Sequence, residues 1–225
     1  MASTFDIKGT SLDSFKIGIG GPTLYKVGTD LCLSTSISSR VLTELEADHP
    51  GYRTGLWYAT SPITDGLSSI TTASTSNTIS YYPFSLKKPV TILKIAFNQA
   101  TSVAGNMRFG IYSNNSNTVL PSTLLVQTGE LSTAGTGERS DTVFIQLPPA
   151  WYWAAISSNV SVSLTGETTL ASQNYYIGRS SFGTTGFVNG YRNNYTYSSG
   201  SLPSSAPVDS LTELTTGAPF LYIKT

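Results

Sequence analysis

In three stretches between residues 91 and 147, apolar side chains recur at every second position, and this spacing constrains the fold more than any other feature of the chain. In TILKIAFNQ, Leu93, Ile95 and Phe97 share one face, with Lys94 and Asn98 on the other. In NMRFGIYS, Met107, Phe109 and Ile111 fall together opposite Arg108. In DTVFIQL, Val143, Ile145 and Leu147 are in phase. Successive side chains of a strand point to opposite faces, so a period of two with one apolar face is a half-buried antiparallel strand. WYWAAIS and the terminal FLYIKT read the same way, and the separators SNNSN, STAGTGERS, SSN and LTGE are turn chemistry. No long helical period appears, which argues against βαβ folds. The expectation is an all-β chain whose residues 55–225 form an antiparallel β-sandwich, jelly-roll-like. SSITTASTSNTIS is expected to be an exposed edge strand or loop, and SSGSLPSSAPVDS an ordered wrap-around loop rather than a linker. Alternation also puts Trp151 and Trp153 on one face and Tyr152 on the other. The tryptophan side is expected inside, with Tyr152 facing solvent or a neighbour.

Residues 1–54 read differently. FKIGIGGPTLYKVGT holds Gly18, Gly20, Gly21 and Gly28. A dinucleotide fingerprint needs G-x-G-x-x-G after a strand and opening a helix. Here Gly21 is followed by Pro22 and a β-like TLYKVGT, and no P-loop lysine follows a spaced glycine pair. What remains is backbone freedom: glycine permits positive φ or close approach of another chain. Phe15, Ile17, Leu24 and Tyr25 flank the glycines as apolar pegs. Phe15, Ile17, Gly18, Gly20, Gly21, Pro22, Leu24 and Tyr25 therefore read as a docking peptide within an extended N-terminal attachment segment. A short helix is suggested by Val41, Leu42 and Leu45, with Ser38 or Ser39 as cap and Pro50 as stop. Glu44, Glu46 and Asp48 crowd its C-terminal half, where the macrodipole disfavours them.

Composition narrows the function. Lys+Arg and Asp+Glu are 13 each, and charged residues make up only 12%. No basic field exists to draw in nucleic acid or insert into an anionic membrane surface. A surface of hydroxyls and amides suits sugar contacts or protein packing. The single cysteine, Cys32, excludes an intrachain disulfide framework and fits assembly in a reducing cytoplasm. No apolar run is long enough for a membrane span, and the N-terminus lacks a secretory-signal pattern. His49, the only histidine, precedes a proline, and no G-x-S-x-G elbow is present. One histidine and one cysteine do not make a zinc site, and no calcium loop is visible. Glu130, Glu138, Asp141 and Glu167 read as exposed loop carboxylates rather than a glycosidase pair. No enzyme, cofactor or metal is expected.

Several stretches resemble a known module. They are Tyr81, Tyr82, Pro83 and Phe84 before a core strand; Arg108, Gly110, Ile111 and Tyr112; Gly129 and Glu130; Leu147, Pro149, Trp151, Tyr152 and Trp153; and SLPSSAPVDS before a short final strand. Together, over about residues 55–225, they resemble the C-terminal β module of bacteriophage tail-fibre and other virion-associated proteins. The resemblance implies a virion protein assembled in the host cytoplasm, a tail fibre or receptor-binding protein. Its N-terminal segment would attach to other virion proteins and its β-sandwich would face host surface polysaccharide. It also implies a homotrimer, in which repeated weak contacts gain avidity. In FVNGYRNNYTYSSGS, Tyr191, Tyr195 and Tyr197 could stack on sugar rings while Arg192, Asn193 and Asn194 bond hydroxyls. The competing reading packs these tyrosines onto the sandwich or between subunits. The alternative function is purely structural: a decoration, collar or fibre-base component. The sequons at Asn114, Asn159 and Asn194 read as turn residues. With no charge field, binding to a neutral sugar would tolerate salt.

Overall fold

The computed structural model describes residues 14–16, 23–27, 30–35, 38–40, 50–60, 68–167, 188–197, 200–215 and 217–225. Before residue 41 and over 68–74 the description covers the backbone alone. The chain divides into two compact units, Met1–His49 and Pro50–Thr225. In the first, β1 (Ser14–Lys16), β2 (Thr23–Val27), β3 (Asp30–Thr35) and β4 (Ser38–Arg40) form a four-stranded antiparallel sheet in chain order. Phe15 pairs in register with Leu24, and Ser14 with Tyr25. Three of the expected docking pegs thus lie on the two strands of a hairpin. Ile17, Gly18, Gly20, Gly21 and Pro22 fall in its connection, outside the described residues. The expected helix over Val41, Leu42 and Leu45 also lies outside them; Ser38 and Ser39, its expected caps, belong to β4.

The second unit begins with β5 (Trp57–Ala59) and β6 (Ser68–Ser74), then β7 (Thr78–Leu86), β8 (Val90–Gln99), β9 (Asn106–Asn115) and β10 (Leu120–Gln127). There follow β11 (Leu131–Ser132), β12 (Gly137–Leu147), β13 (Ala150–Ser158) and β14 (Val162–Glu167). The last are β15 (Gly190–Asn194), β16 (Thr212–Leu214), β17 (Ala218–Pro219) and β18 (Tyr222–Lys224). They build two antiparallel seven-stranded sheets packed as a sandwich. One runs β10-β9-β13-β7-β15-β16, with β11 beside β9. The other runs β17-β14-β8-β18-β5, with β12 on β8 and β6 on β14. Residues 50–54 are tied to the sandwich: the Thr225 Oγ1 hydroxyl donates to the Arg53 carbonyl (2.6 Å), and Tyr52 meets Tyr58 edge-to-face.

The inter-sheet core follows from the alternation. Met107, Phe109 and Ile111 of β9 face Ile95 and Phe97 of β8, with the Phe97 and Phe109 rings 4.5 Å apart. Val143 and Leu147 are buried with them, and Ile145 packs at their margin. Leu93 departs from the expectation and is 37% exposed, while Ile92 is buried. The cause is a bulge: Lys94 pairs with Thr142 but Ile92 pairs with Ile145, so Val143 and Phe144 together oppose Leu93. The inward set of β8 becomes Val90, Ile92, Ile95 and Phe97. Phe144 is left 75% exposed.

The central strands of the first sheet, β7, β9 and β13, are buried on both faces. On its outer side Ile79, Tyr81, Tyr112, Trp153, Ala155 and Leu202 form a second apolar cluster. The lid is the Ser- and Pro-rich stretch from residue 200 to 211, an ordered wrap as expected. Leu124 N–H donates to the Ser204 carbonyl and Ala206 N–H to that of Ser122, fastening the wrap along β10. The Tyr112 hydroxyl donates to the Pro203 carbonyl at 2.7 Å. This second core corrects the reading of Tyr152. Its ring lies in the inter-sheet core beside Phe84, and its hydroxyl donates to the Pro148 carbonyl (2.8 Å). Trp153 is buried too, but beneath the wrap, its Nε1–H donating to Asn114 Oδ1 (2.9 Å). Arg108, opposite the apolar face of β9, is likewise buried under this side rather than solvated. The edge-strand reading of SSITTASTSNTIS applies to β6, which pairs with β14 alone among the described residues. Its end, Thr78 to Ser80, is buried in the central strand β7.

Gly110 is where the wrap comes down on β9. A Cβ there would lie 2.6 Å from Leu202 Cδ1 and 3.0 Å from Leu124 Cδ1. Gly110→Val is expected to cost about 2 kcal/mol by overpacking. Combined with Leu202→Ala it should cost less than the sum of the two single changes, because they share one contact; denaturant titrations of the three variants check this.

Buried phenols set the alkaline limit. Burial pushes Tyr82 up to about 12, although nearby Arg192 and a bond with Ser80 favour its ionised form. Tyr81 and Tyr112 are also raised, chiefly by burial. These tyrosines keep their protons in the fold at pH values where the unfolded chain, with pKa 10.0, releases them. Stability is therefore full below pH 10.0 and falls as pH climbs from there through about 12, by about 1.4 kcal/mol per unit for each such group. Tyrosinate absorbance and the β circular dichroism signal are expected to change together in this window; buried phenols that titrate without loss of the β signal would refute the assignment.

Candidate functional site

The outer face of the second sheet carries no wrap among the described residues. Alternation sends Lys94, Ala96 and Asn98 of β8 outward, with Tyr222 and Lys224 of β18, Trp57 and Ala59 of β5, and Glu138 and Ser140 of β12. The register sets Tyr222 between Ala96 and Ala59, Lys224 between Lys94 and Trp57, and Glu138 beside Asn98. Two alanines beside an upright phenol ring leave a hollow. The result is a shallow cavity of about 280 Å³ lined by Trp57, Ala96, Phe97, Asn98, Glu138 and Tyr222.

Its walls are held from behind. The Phe220 ring meets Tyr222 edge-on, with centroids 6.4 Å apart. Lys224 Nζ lies 5.7 Å from the centre of the Trp57 ring, a cation–π contact. Asn98 Nδ2 donates to Thr165 Oγ1 (3.1 Å), and Glu138 Oε1 accepts from Ser140 Oγ (2.6 Å). Burial raises the Tyr222 phenol pKa, so at neutral pH it is a neutral donor and acceptor. Two aromatic rings, an amide and a carboxylate around a hollow can seat an apolar ring face and exchange hydrogen bonds with hydroxyls. The cavity lining has no histidine or cysteine. Among the described residues no three His, Cys, Asp or Glu side chains meet in a way that could hold a metal ion.

The residues expected as sugar contacts, Tyr191, Arg192, Asn193, Asn194, Tyr195 and Tyr197, sit elsewhere. Gly190–Asn194 is a strand, β15, between β7 and β16. Tyr191 is half-buried and tilts against Trp153 with ring centroids 5.8 Å apart. Asn193 is buried, its Nδ2 donating to the Pro207 carbonyl (2.8 Å). Tyr195 packs on the second cluster and donates its hydroxyl to the Ser201 carbonyl (2.9 Å). Tyr197 donates to Glu130 Oε1 (2.9 Å), and its phenol pKa is raised by burial first and by that bond second. Arg192 turns to the opposite face, where Nε donates to Ser80 Oγ (3.2 Å), and Asn194 is exposed at the strand end. The fold thus brings Tyr191, Asn193 and Tyr195 to one side, as alternation requires, and parts them from Arg192. Tyr191 and Tyr195 are packed against the sandwich.

The candidate carboxylates do not gather. Glu130 takes the Tyr197 hydroxyl, Glu138 the Ser140 hydroxyl, and Asp141 Oδ2 the Gly129 N–H at 2.6 Å. The side chain of Glu167 lies outside the described residues. Of the sequon residues, Asn159 Oδ1 caps the Asn106 N–H (2.8 Å) at a bend, whereas Asn114 and Asn194 belong to β9 and β15. Sequence reasoning did not find the Trp57–Tyr222 cavity. Its lining comes from positions 57, 96–98, 138 and 222, and only the register of four strands unites them. No protein-family model matches the chain, and no curated protein matches it.

Tyr191→Ala should cost about 2 kcal/mol of stability, since it strips a ring from Trp153. Tyr197→Phe removes one hydrogen bond at the margin and should cost about 1 kcal/mol. Melting curves of the two variants test this order; equal, negligible losses would mean that the Tyr191 ring of β15 does not belong to the core.

Proposed function

We propose that the protein is a bacteriophage virion component, a tail fibre or receptor-binding protein. In this reading residues 1–54 attach it to other virion chains, the β-sandwich faces the host surface, and the contact is with saccharide. The observation that favours a binding role most is the difference between the two outer faces. One sheet is closed by the chain's own wrap; among the described residues the other leaves an aromatic-walled cavity with amide and carboxylate groups at its rim. The motifs at Tyr81–Phe84, Arg108–Tyr112 and Leu147–Trp153, through which residues 55–225 resemble tail-fibre modules, support the virion assignment. A homotrimer on the particle would multiply a weak single-site contact by orders of magnitude, roughly 10²–10⁴.

Antibodies to the chain, followed by electron microscopy of the parent particle, are expected to label a host-facing extremity, and the purified protein is expected to compete with particles for adsorption to host cells. Labelled particles without competition would favour the purely structural alternative, and unlabelled particles would overturn the virion assignment.

A further inference from the structure

We propose that the outer face of the second sheet is a site for an acidic oligosaccharide. A sugar ring is seated against Trp57 and Tyr222, and its carboxylate or phosphate lies on Lys94 and Lys224. The inference deepens the saccharide-binding reading above and rests on it. Its motive is a local imbalance of charge. Lys94 and Lys224 are directly opposite one another in the β8–β18 register and share the outward face. Like charges placed so are unfavourable across a strand pair. Their other register neighbours are Thr142 on one side and Trp57 on the other, so among the described residues neither lysine has a carboxylate as its register partner. In a chain with 13 basic and 13 acidic residues and only 12% charged, two adjacent lysines beside an aromatic hollow are not a consequence of general basicity.

The charged residue in the cavity lining itself, Glu138, is at the other end of the face. Glu138 pairs with Asn98, four residues along β8 from Lys94, a separation of about 13 Å at the rise of a strand. The face therefore runs from a carboxylate and an amide, across the cavity of about 280 Å³, to two ammonium groups. Glu138 and Asn98 suit the hydroxyls of a neutral ring and repel an anion. Lys94 and Lys224 suit an anionic substituent. This polarity orients a chain of more than one sugar and selects one whose acid is carried at one end of the bound stretch. Lys224 also lies over the Trp57 ring, so an anion on its ammonium is held next to the stacking surface.

The consequence differs from the salt tolerance expected of a chain with no overall charge field, because the lysine pair makes the contact locally electrostatic. The test is an array of acidic saccharides, some bearing uronate and some phosphate, each printed beside its neutral counterpart (the methyl ester or the dephosphorylated form). The full-length protein and three variants are applied: Trp57→Ala, Tyr222→Ala, and the double variant Lys94→Gln/Lys224→Gln, each confirmed folded by circular dichroism. At least one acidic member is expected to bind about tenfold more tightly than its neutral partner. That preference should weaken with added salt and vanish in the double lysine variant, while Trp57→Ala abolishes binding to both members. Uronate or phosphate preference then identifies the acid. Neutral and acidic partners that bind alike, with Trp57 still required, would overturn the lysine assignment and leave saccharide binding standing. If no saccharide binds and the protein nevertheless blocks particle adsorption, the site is refuted but the receptor-binding role is not; failure of both assays removes the two together.

Discussion

Strands buried on both faces, as β7, β9 and β13 are, have no solvent side on which to leave their polar atoms, and this condition governs the larger unit. Trp153 and Tyr112 reach into the second cluster with an indole N–H and a phenol that need acceptors there. They find them in Asn114 Oδ1 and the Pro203 carbonyl. The wrap that supplies the second acceptor also supplies Leu202, and Leu202 is accommodated because position 110 has no side chain. Hydrogen bonding, packing and the glycine are thus one arrangement. An unpaired buried polar group costs about 1–3 kcal/mol, so displacing the wrap would cost more than the apolar contacts it makes.

Much of this was legible in the chain. The strands β8, β9, β12, β13 and β18 follow from alternation, because a half-buried surface demands that period. The wrap was legible because its Ser- and Pro-rich residues stand between strong strands. Alternation fails where both faces are buried. It separates Tyr152 from Trp153 correctly but has no means of ranking two cores, and so it leaves Tyr152 outside the inter-sheet core to which it belongs. It fails again at Leu93, where the slip depends on a bulge in the partner strand β12. Alternation does not mark β15 as a strand, because Asn193 interrupts its tyrosine face; in the fold Asn193 and Arg192 are satisfied by Pro207 and Ser80. The cavity was out of reach for a related reason. Trp57, Ala96 and Tyr222 are ordinary residues until cross-strand register sets them side by side.

The two outer faces divide the work of the proposed function. The wrapped side spends its aromatic residues, Tyr81, Tyr112, Trp153 and Tyr191, on the protein's own stability. Among the described residues the other side leaves Trp57 and Tyr222 in walls around a floor of Ala96, a residue too small to fill the space. Aromatic abundance alone therefore says little about binding in this chain; what distinguishes the rings is whether the chain returns to cover them.

The bulge in β12 has a bearing on crowding. Among the described residues β12 pairs with β8 alone, so eleven residues of backbone lie along a sheet edge. A straight edge of that length is a template on which a strand from another molecule can add. The extra residue at Val143 and Phe144 breaks the spacing of the edge groups and increases its twist, so a regular partner strand cannot continue past it. Copies held side by side at high density would then meet an edge that ends pairing after a few residues. The same irregularity that moved Leu93 out of the core thus opposes fibrous aggregation.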